Sequence, residues 1–356
     1  MSEYLVDYVK LGDFTVDVFK KVGCGDREAK AVAGLLLDAD LRGVRSHGVI
    51  RIRQYTTKIK GGGAVINADM VIEKESPVMA VLDAKGALGA IASDKAVEIA
   101  RAKAKASGLG FVTVKNSNHF GMAGHWAIKL AGEDMIGFCG SNTSPSMPVP
   151  GSKQRSIGNN PFAMAYSGNK YKEVCVDMAC SVVAGGKVQD LASRGLPIPQ
   201  GWFLDSEGNP SNDPKNVGML LPFSGHKGAG VALMVETLGV LLSSGPLAFE
   251  MNAQGDPAKS ENASQFFACF DIAAFRSLEG FKEDVDRYVD FYKQLKKADG
   301  VNEIMYFGEI EYRNKEAISK EGVTLPDTLL NEIASIAIGL GIAEADTKFL
   351  FANPVA

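Results

Sequence analysis

Cysteine is scarce in this sequence and poorly arranged for cross-linking: Cys24, Cys139, Cys175, Cys180 and Cys269 are odd in number, scattered, and never spaced Cys-x-x-Cys. That excludes a disulfide framework and a cysteine zinc site, and leaves small buried hydrophobes in a reduced compartment. Runs of one charge are missing too, and the net charge is only -4, so neither nucleic acid nor an anionic membrane is indicated as a partner. The longest apolar run, near Val231 to Leu242, is broken by Glu236 and is too short to cross a bilayer. The first twenty residues lack both a basic start and an uninterrupted apolar stretch, so no signal peptide is read there and the expected location is cytoplasmic. Histidine pairs with HExxH-like spacing do not occur, which argues against a helical metal site. Neither a Walker loop nor a complete Gly-x-Gly-x-x-Gly occurs: GHKGAG has the wrong spacing, and GLGFVT and GLGIAE lack the final glycine. Any nicotinamide site must therefore be of a non-Rossmann kind.

What is present is an ordinary globular composition, 46% apolar and 22% charged over 356 residues, long enough for two cores. Residues 3 to 21 place Tyr4, Tyr8, Leu11, Phe14 and Val18 at helical spacing before Gly23 and Gly25. Asp26 is the expected N-cap of a second helix, with Ala31, Leu35, Leu36 and Ala39 inward and a stop at Gly43. A third helix is expected from about Ile50 to Lys60. From Met70 the texture turns to β-branched or alternating runs, with strands expected at VMAVLDA, FVTVK, MIGFCGS, FAMAY and VCVDMA. Helices over Ala92 to Ala106 and Ala123 to Ala131 separate the first three, which predicts an α/β fold; an α+β fold with mixed strands reads the same way. Gly228 to Leu242 reads as a buried helix, and Phe281, Val285, Tyr288, Val289, Tyr292 and Leu295 mark one further apolar helical face, with Leu329, Leu330, Ile333 and Ile336 marking another. The expected organisation is a helical region over 1-70, a mixed-sheet domain over 71-275, and a C-terminal helical segment, 276-356, that completes the first region.

The four histidines, His47, His119, His125 and His226, all lie in or beside polar, glycine-containing segments. Imidazole suits proton transfer near neutral pH, and oxidation of an alcohol by hydride loss requires a base for the hydroxyl proton. His47 and His119 are both candidates; the plain alternative for each is a loop histidine held by hydrogen bonds. Arg51, four residues after His47, carries the fork that grips a carboxylate, unless it is an ordinary surface arginine. Ser46 either donates to the reacting oxygen or caps the third helix. Asp177 ends a strand-like run and would hold an imidazole tautomer, or serve only as a strand-end aspartate. Lys227, before an apolar helix, would meet a phosphate or ribose, or remain a solvated lysine.

The segments DADLRGVRSHGVIRIRQY, KNSNHFGMAGHWA, SNTSPSMPVPGS, GNNPFAMA, VDMACSVVAGGKV, GLPIPQGWFLDSEGNPSNDP and SGHKGAGVALMVETL, in that order, resemble the type-2 malate/L-lactate dehydrogenase family. That family also holds ureidoglycolate, sulfolactate and diketogulonate oxidoreductases and cyclic imino-acid reductases. The resemblance implies a non-Rossmann nicotinamide-binding sheet domain, NAD or NADP as cofactor, a small 2-hydroxy or 2-oxo carboxylic acid as substrate, malate or lactate first, and a homodimer. It implies His47 as proton donor or acceptor with Asp177 as its orienting partner, while His119 matches the position of the base in ureidoglycolate-type members. Ser46 and Arg51 would contact substrate. Cofactor contacts would come from Thr143, Ser144, Pro145, Asn160, Val176, Asp177, Met178, Ala179, Lys227, Gly228, Gly308 and Glu309. This sequence departs from the family at Asn159 and Cys180, both usually threonine, at Ala229, often tyrosine, and at Phe307, where Pro-Gly-Glu reads Phe-Gly-Glu. The competing readings are a reductase of a cyclic imino acid or larger keto acid, and a catalytically silent dinucleotide-binding protein.

Overall fold

A computed structural model describes residues 2–193, 195–252 and 254–355. The chain opens with a strand, not a helix: β1, Glu3–Val6, pairs antiparallel with two C-terminal strands, and α1 starts only at Tyr8 and runs to Lys21. Asp7 is the reason for the late start, because its carboxylate accepts from the backbone N–H groups of Val9 and Lys10 and so fixes the first turn. α2 spans Asp26–Leu41, with Gly25 rather than Asp26 as its N-cap. Asp26 is the first helical residue and its carboxylate is drawn instead to Lys20 and Lys30. Two short 3-10 turns, Arg45–His47 and Val49–Arg51, lead into α3, Ile52–Gly61, which stops at Gly62 in the left-handed conformation.

The middle of the chain builds a seven-stranded sheet. β2 (Val71–Glu75) and β3 (Met79–Asp83) are followed by α4 (Gly89–Ser107), β4 (Leu109–Ser117), α5 (Ala123–Ala131), β5 (Met135–Ser141), β6 (Phe162–Tyr166) and β7 (Val174–Met178). After α6 (Gly185–Ser193), β8 (Phe203–Leu204), β9 (Pro210–Ser211) and β10 (Met219–Leu220) form a small separate sheet, and α7 covers His226–Glu236. β11, Ala263–Asp271, then returns to the large sheet, whose order is β2-β3-β4-β11-β5-β6-β7. β3 and β4 are parallel and joined through α4, while the other neighbouring strands are antiparallel, so the fold is α/β with a mixed sheet. β11 went unread in the sequence because its first seven residues are all buried, which removes the alternation that marks a half-exposed strand.

The expected buried helix from Gly228 to Leu242 is corrected in two ways. α7 ends at Glu236 in a π-turn, Thr237–Leu241, and Leu233, Met234, Leu241 and Leu242 are more than half exposed. At the C-terminus come α8 (Leu278–Gln294), α9 (Glu309–Glu321), β12 (Val323–Pro326), α10 (Asp327–Gly339) and β13 (Pro354–Val355). β12 and β13 flank β1, and α9 and α10 touch α2 and α3. α8 instead turns Val285 and Val289 toward Val174 and Tyr306, beside the edge strand β7. All five cysteines are buried and free. Among the described residues, no helix is long and apolar enough to cross a membrane.

Candidate active site

The turn between α2 and α3 carries Ser46 and His47, and the segment after β4 carries His119. The structure brings these histidines together: their rings stack with centroids 5.6 Å apart and planes 24° apart. Ser46 Oγ lies 2.9 Å from His47 Nδ1, and Nε2 makes no hydrogen bond to a described residue. His119 Nδ1 is 2.9 Å from the hydroxyl of Tyr55, a buried residue of α3. Tyr55 was missed in the sequence reading. Its signal was available: it follows Arg51 by four residues, on the side of α3 that continues from the catalytic turn.

Both turns are braced. Arg51 donates from Nε to the carbonyl of Ser46 at 2.7 Å and from Nη1 to Gln54 at 2.7 Å, so it clamps the His47 turn and leaves Nη2 without a hydrogen bond to a described residue. One helical turn after Tyr55, Lys58 forms a buried pair with Glu261 at 3.1 Å, and the Glu261 N–H donates to the Asn118 side chain. Trp126 is fully buried and donates to the carbonyl of Phe120 at 2.7 Å. His119 is thus held from both flanks.

Burial, then the Arg51 charge, lowers the His47 pKa to about 4. His119 is also lowered, by burial first and then by its neighbours His47, Arg51 and Lys58, whose protonated forms disfavour a second positive charge. Two neutral imidazoles beside a guanidinium can take a proton from a substrate hydroxyl, and an anionic substrate would raise their basicity by offsetting Arg51.

Among the described residues, Asp177 makes no hydrogen bond to His47. Its carboxylate accepts from the Gly124 N–H at 2.7 Å, at the start of α5, because the free N–H groups and positive end of that helix attract it. It stands exposed on β7, yet enough protein surrounds the carboxyl to push its pKa up to about 6. Its partner Gly124 follows His119 by five residues, so Asp177 is tied to the start of the helix that continues the histidine segment. Ser46 meanwhile packs against Gly186, in the first turn of α6.

The residues expected to hold a cofactor divide into presenting and supporting groups. Val176, Asp177 and Met178 lie on edge strand β7 and continue into Ala179. The Cys175 N–H donates to Phe307 at 3.0 Å, and Gly308, at φ 88°, packs its bare Cα on the Cys175 backbone. Gly228 packs against Phe223 and Cys180, which docks the start of α7 beside the end of β7. The Lys227 and Gly228 N–H groups turn back on Ser224 and Phe223, so α7 offers the exposed His226 and Lys227 side chains and its positive dipole end rather than open amides. That chemistry fits dinucleotide phosphates.

Asn160 and Glu309 belong to the supporting group. Asn160 is fully buried at φ 29°; it accepts from Thr143 N and donates to Ala232 O and Glu236, so it ties the Thr143–Ser144–Pro145 loop to α7. Asn159, in place of the usual threonine, accepts from Thr143 Oγ1 at 2.9 Å. Glu309 is buried and occupied by Lys293, Arg313 and the Tyr306 N–H.

His125 belongs elsewhere. Its Nδ1 lies 2.9 Å from Asp38, which also meets Arg42 at 3.0 Å and Lys315 at 3.0 Å, and Arg42 makes a two-pronged contact with Glu173.

The chain matches the malate/L-lactate dehydrogenase family over residues 6–334. L-sulfolactate dehydrogenase of Methanocaldococcus jannaschii is 38% identical over 329 residues, which are 92% of this chain and 94% of that protein. The solved structure of the sulfolactate dehydrogenase from that organism superposes with a TM-score of 0.90 at 36% identity, covering 96% of this chain and 99% of the other. Malate dehydrogenase of Pyrococcus horikoshii is 35% identical over 343 residues, 94% of each chain. Ureidoglycolate dehydrogenase (NAD(+)) of Escherichia coli K12 is 28% identical over 319 residues, covering 89% of this chain and 91% of that one. The family match over residues 6–334, together with relatives and a solved structure that cover more than nine-tenths of the chain, places the chain in the malate/L-lactate dehydrogenase family, as a nicotinamide-dependent dehydrogenase of a small 2-hydroxy acid.

Proposed function

We propose that this enzyme interconverts a 2-hydroxy acid and its 2-oxo acid with NAD or NADP, and that malate, lactate and sulfolactate are the first substrates to try. The observation that carries this reading is the His47–His119 stack with Arg51 alongside. When bound, the reduced nicotinamide supplies the hydride. Lys227 and the start of α7 would hold its phosphates, with β7 and Gly308 as further residues that would contact it. The outer edge of Arg51 draws in the substrate carboxylate and orients the neighbouring carbonyl. Its negative charge raises the basicity of the imidazoles, so that one of them is protonated in the complex and delivers a proton to the carbonyl oxygen as carbon 2 is reduced. In the reverse direction the same nitrogen takes the hydroxyl proton. Asp177 supports the α5 end of the site. His47, with Nε2 uncommitted to any described residue, is the better placed proton carrier, and His119 with Tyr55 is the second.

The test follows the near-ultraviolet absorbance of NADH and of NADPH with oxaloacetate, pyruvate and sulfopyruvate. Oxidation of either coenzyme, dependent on one of these acids, is expected. Failure of both coenzymes to bind would overturn the reading. We further propose a homodimer, because Leu233, Met234, Leu241 and Leu242 supply an exposed apolar stretch of the kind a second subunit covers. A monomer mass in analytical ultracentrifugation would contradict it.

A further inference from the structure

Two residues of the α2 to α3 junction are matched in shape. Asp40 is buried near the end of α2, and its Oδ2 accepts from the Val49 N–H at 2.7 Å, two residues beyond His47. Gly48 lies directly against the same carboxylate: a Cβ built on it would overlap all three carboxyl atoms of Asp40. The backbone of Gly48, at φ -84° and ψ -152°, is one that any residue adopts. Space rather than conformation therefore requires glycine at this position. Among the described residues Asp40 has no cation within ion-pair distance, so its carboxyl is not spent on a salt bridge. We infer that Asp40 is a positioning residue for the reaction, seating the Ser46–His47–Gly48 turn so that the His47 ring stacks on His119.

The physical case is one of tolerance. The His47 turn is the first of two 3-10 turns between α2 and α3, too short to define its own position to a fraction of an ångström. Arg51 closes it from the solvent side through the Ser46 carbonyl, and Asp40 closes it from the protein side through Val49. Removing the inner contact leaves a buried N–H unpaired and an empty volume into which Gly48 can sink, which carries His47 away from the stack.

The inference rests on the proposed role of His47 and is tested by a double-mutant cycle of Asp40→Ala and Gly48→Ala, with coenzyme-binding sites counted by fluorescence titration. Each single variant should lose turnover per coenzyme site, by up to about 10²-fold, with coenzyme affinity unchanged. The double variant should recover about tenfold or more over Gly48→Ala, because the smaller side chain makes room for the new methyl. Asp40→Asn keeps an oxygen for Val49 and should stay within about threefold of wild type. A purely structural role would lower melting temperature and the number of binding sites, and leave turnover per site intact. Non-additivity absent from the cycle, or wild-type turnover per site in Asp40→Ala, overturns the inference. If Gly48→Ala does not fold, Asp40→Ala against Asp40→Asn decides: equal turnover per site overturns it. His47→Ala in the same assay separates the two claims. Unchanged turnover there defeats the functional reading, whereas loss there with none in Asp40→Ala defeats only the positioning role.

Discussion

Asp38 and Asp40 stand two residues apart on α2 and have opposite fates. Asp38 faces His125, Arg42 and Lys315, and although burial opposes it, the His125 hydrogen bond and the surrounding positive charges hold its carboxyl well below the usual range. Asp40 faces the His47 turn, where burial pushes its pKa up to about 7 against only the Val49 N–H and the charge of Arg45. Residues two apart on a helix project from nearly opposite sides, so one helix end serves two environments. One is a compensated charge cluster joining α2, α5 and α9. The other is the buried turn beside the histidine pair, where Asp40 has no cation within ion-pair distance among the described residues and where the proposed proton carrier sits.

The widest separation expected between the regions is in turnover. His47→Ala or His119→Ala, whichever removes the proton carrier, should lower the turnover number by about 10² to 10⁴. His125→Ala should leave turnover per folded molecule nearly unchanged and lower the melting temperature, and a loss of chemistry there equal to that of His47→Ala would erase the distinction. Arg42→Ala removes the two-pronged partner of Glu173 and one of three cationic partners of Asp38, and should cost up to about 3–5 kcal/mol of stability, read from the urea midpoint. A shift no larger than that of an exposed ion pair would show that the cluster is not compensating buried charge.

pH divides the two aspartates by sign. The lowered Asp38 carboxyl contributes stability that is present above its unfolded value of 3.8 and fades as pH falls through its lower folded value. The raised Asp40 carboxyl does the reverse: between 3.8 and about 7 the folded protein holds a proton that the unfolded chain has released, so stability declines as pH rises through that window. Asp40→Asn should therefore compare more favourably with wild type at pH 8 than at pH 4, and Asp38→Asn less favourably at pH 6 than at pH 2. Parallel urea midpoints for the two variants would contradict the assignment. The smallest expected effect is Arg51→Lys, which should raise the Michaelis constant for the oxo acid by about tenfold, since a point charge cannot reproduce the fork. An unchanged constant would remove Arg51 from substrate binding.

How far the sequence foretold this depends on what each element had to encode locally. The turns bearing His47 and His119 were legible because polar and glycine residues mark their own loops, and strands β3 to β7 because they alternate or cluster β-branched residues. β11 was not, since a strand buried over most of its length carries no period. Nor was β1, whose pairing partners lie more than 300 residues away. The sequence singled out His47 and His119 from the four histidines; the stack of these two and the pairing of His125 with Asp38 are tertiary facts. Asp177 was read as a partner for His47 because aspartate commonly serves imidazole, yet the start of α5 is the nearer claimant. Asn160 and Glu309 illustrate the same limit: motif position identified the region, while their saturated hydrogen bonds assign them to support.

The central claim is direct hydride delivery to carbon 2 of an oxo acid at the histidine pair. Reduced coenzyme carrying deuterium at the transferred position, incubated with the oxo acid that the absorbance test selects, should yield a hydroxy acid whose carbon-2 proton signal is missing in the NMR spectrum, with no label gained from heavy water. A product that keeps that proton, or takes its label from solvent, would contradict the account.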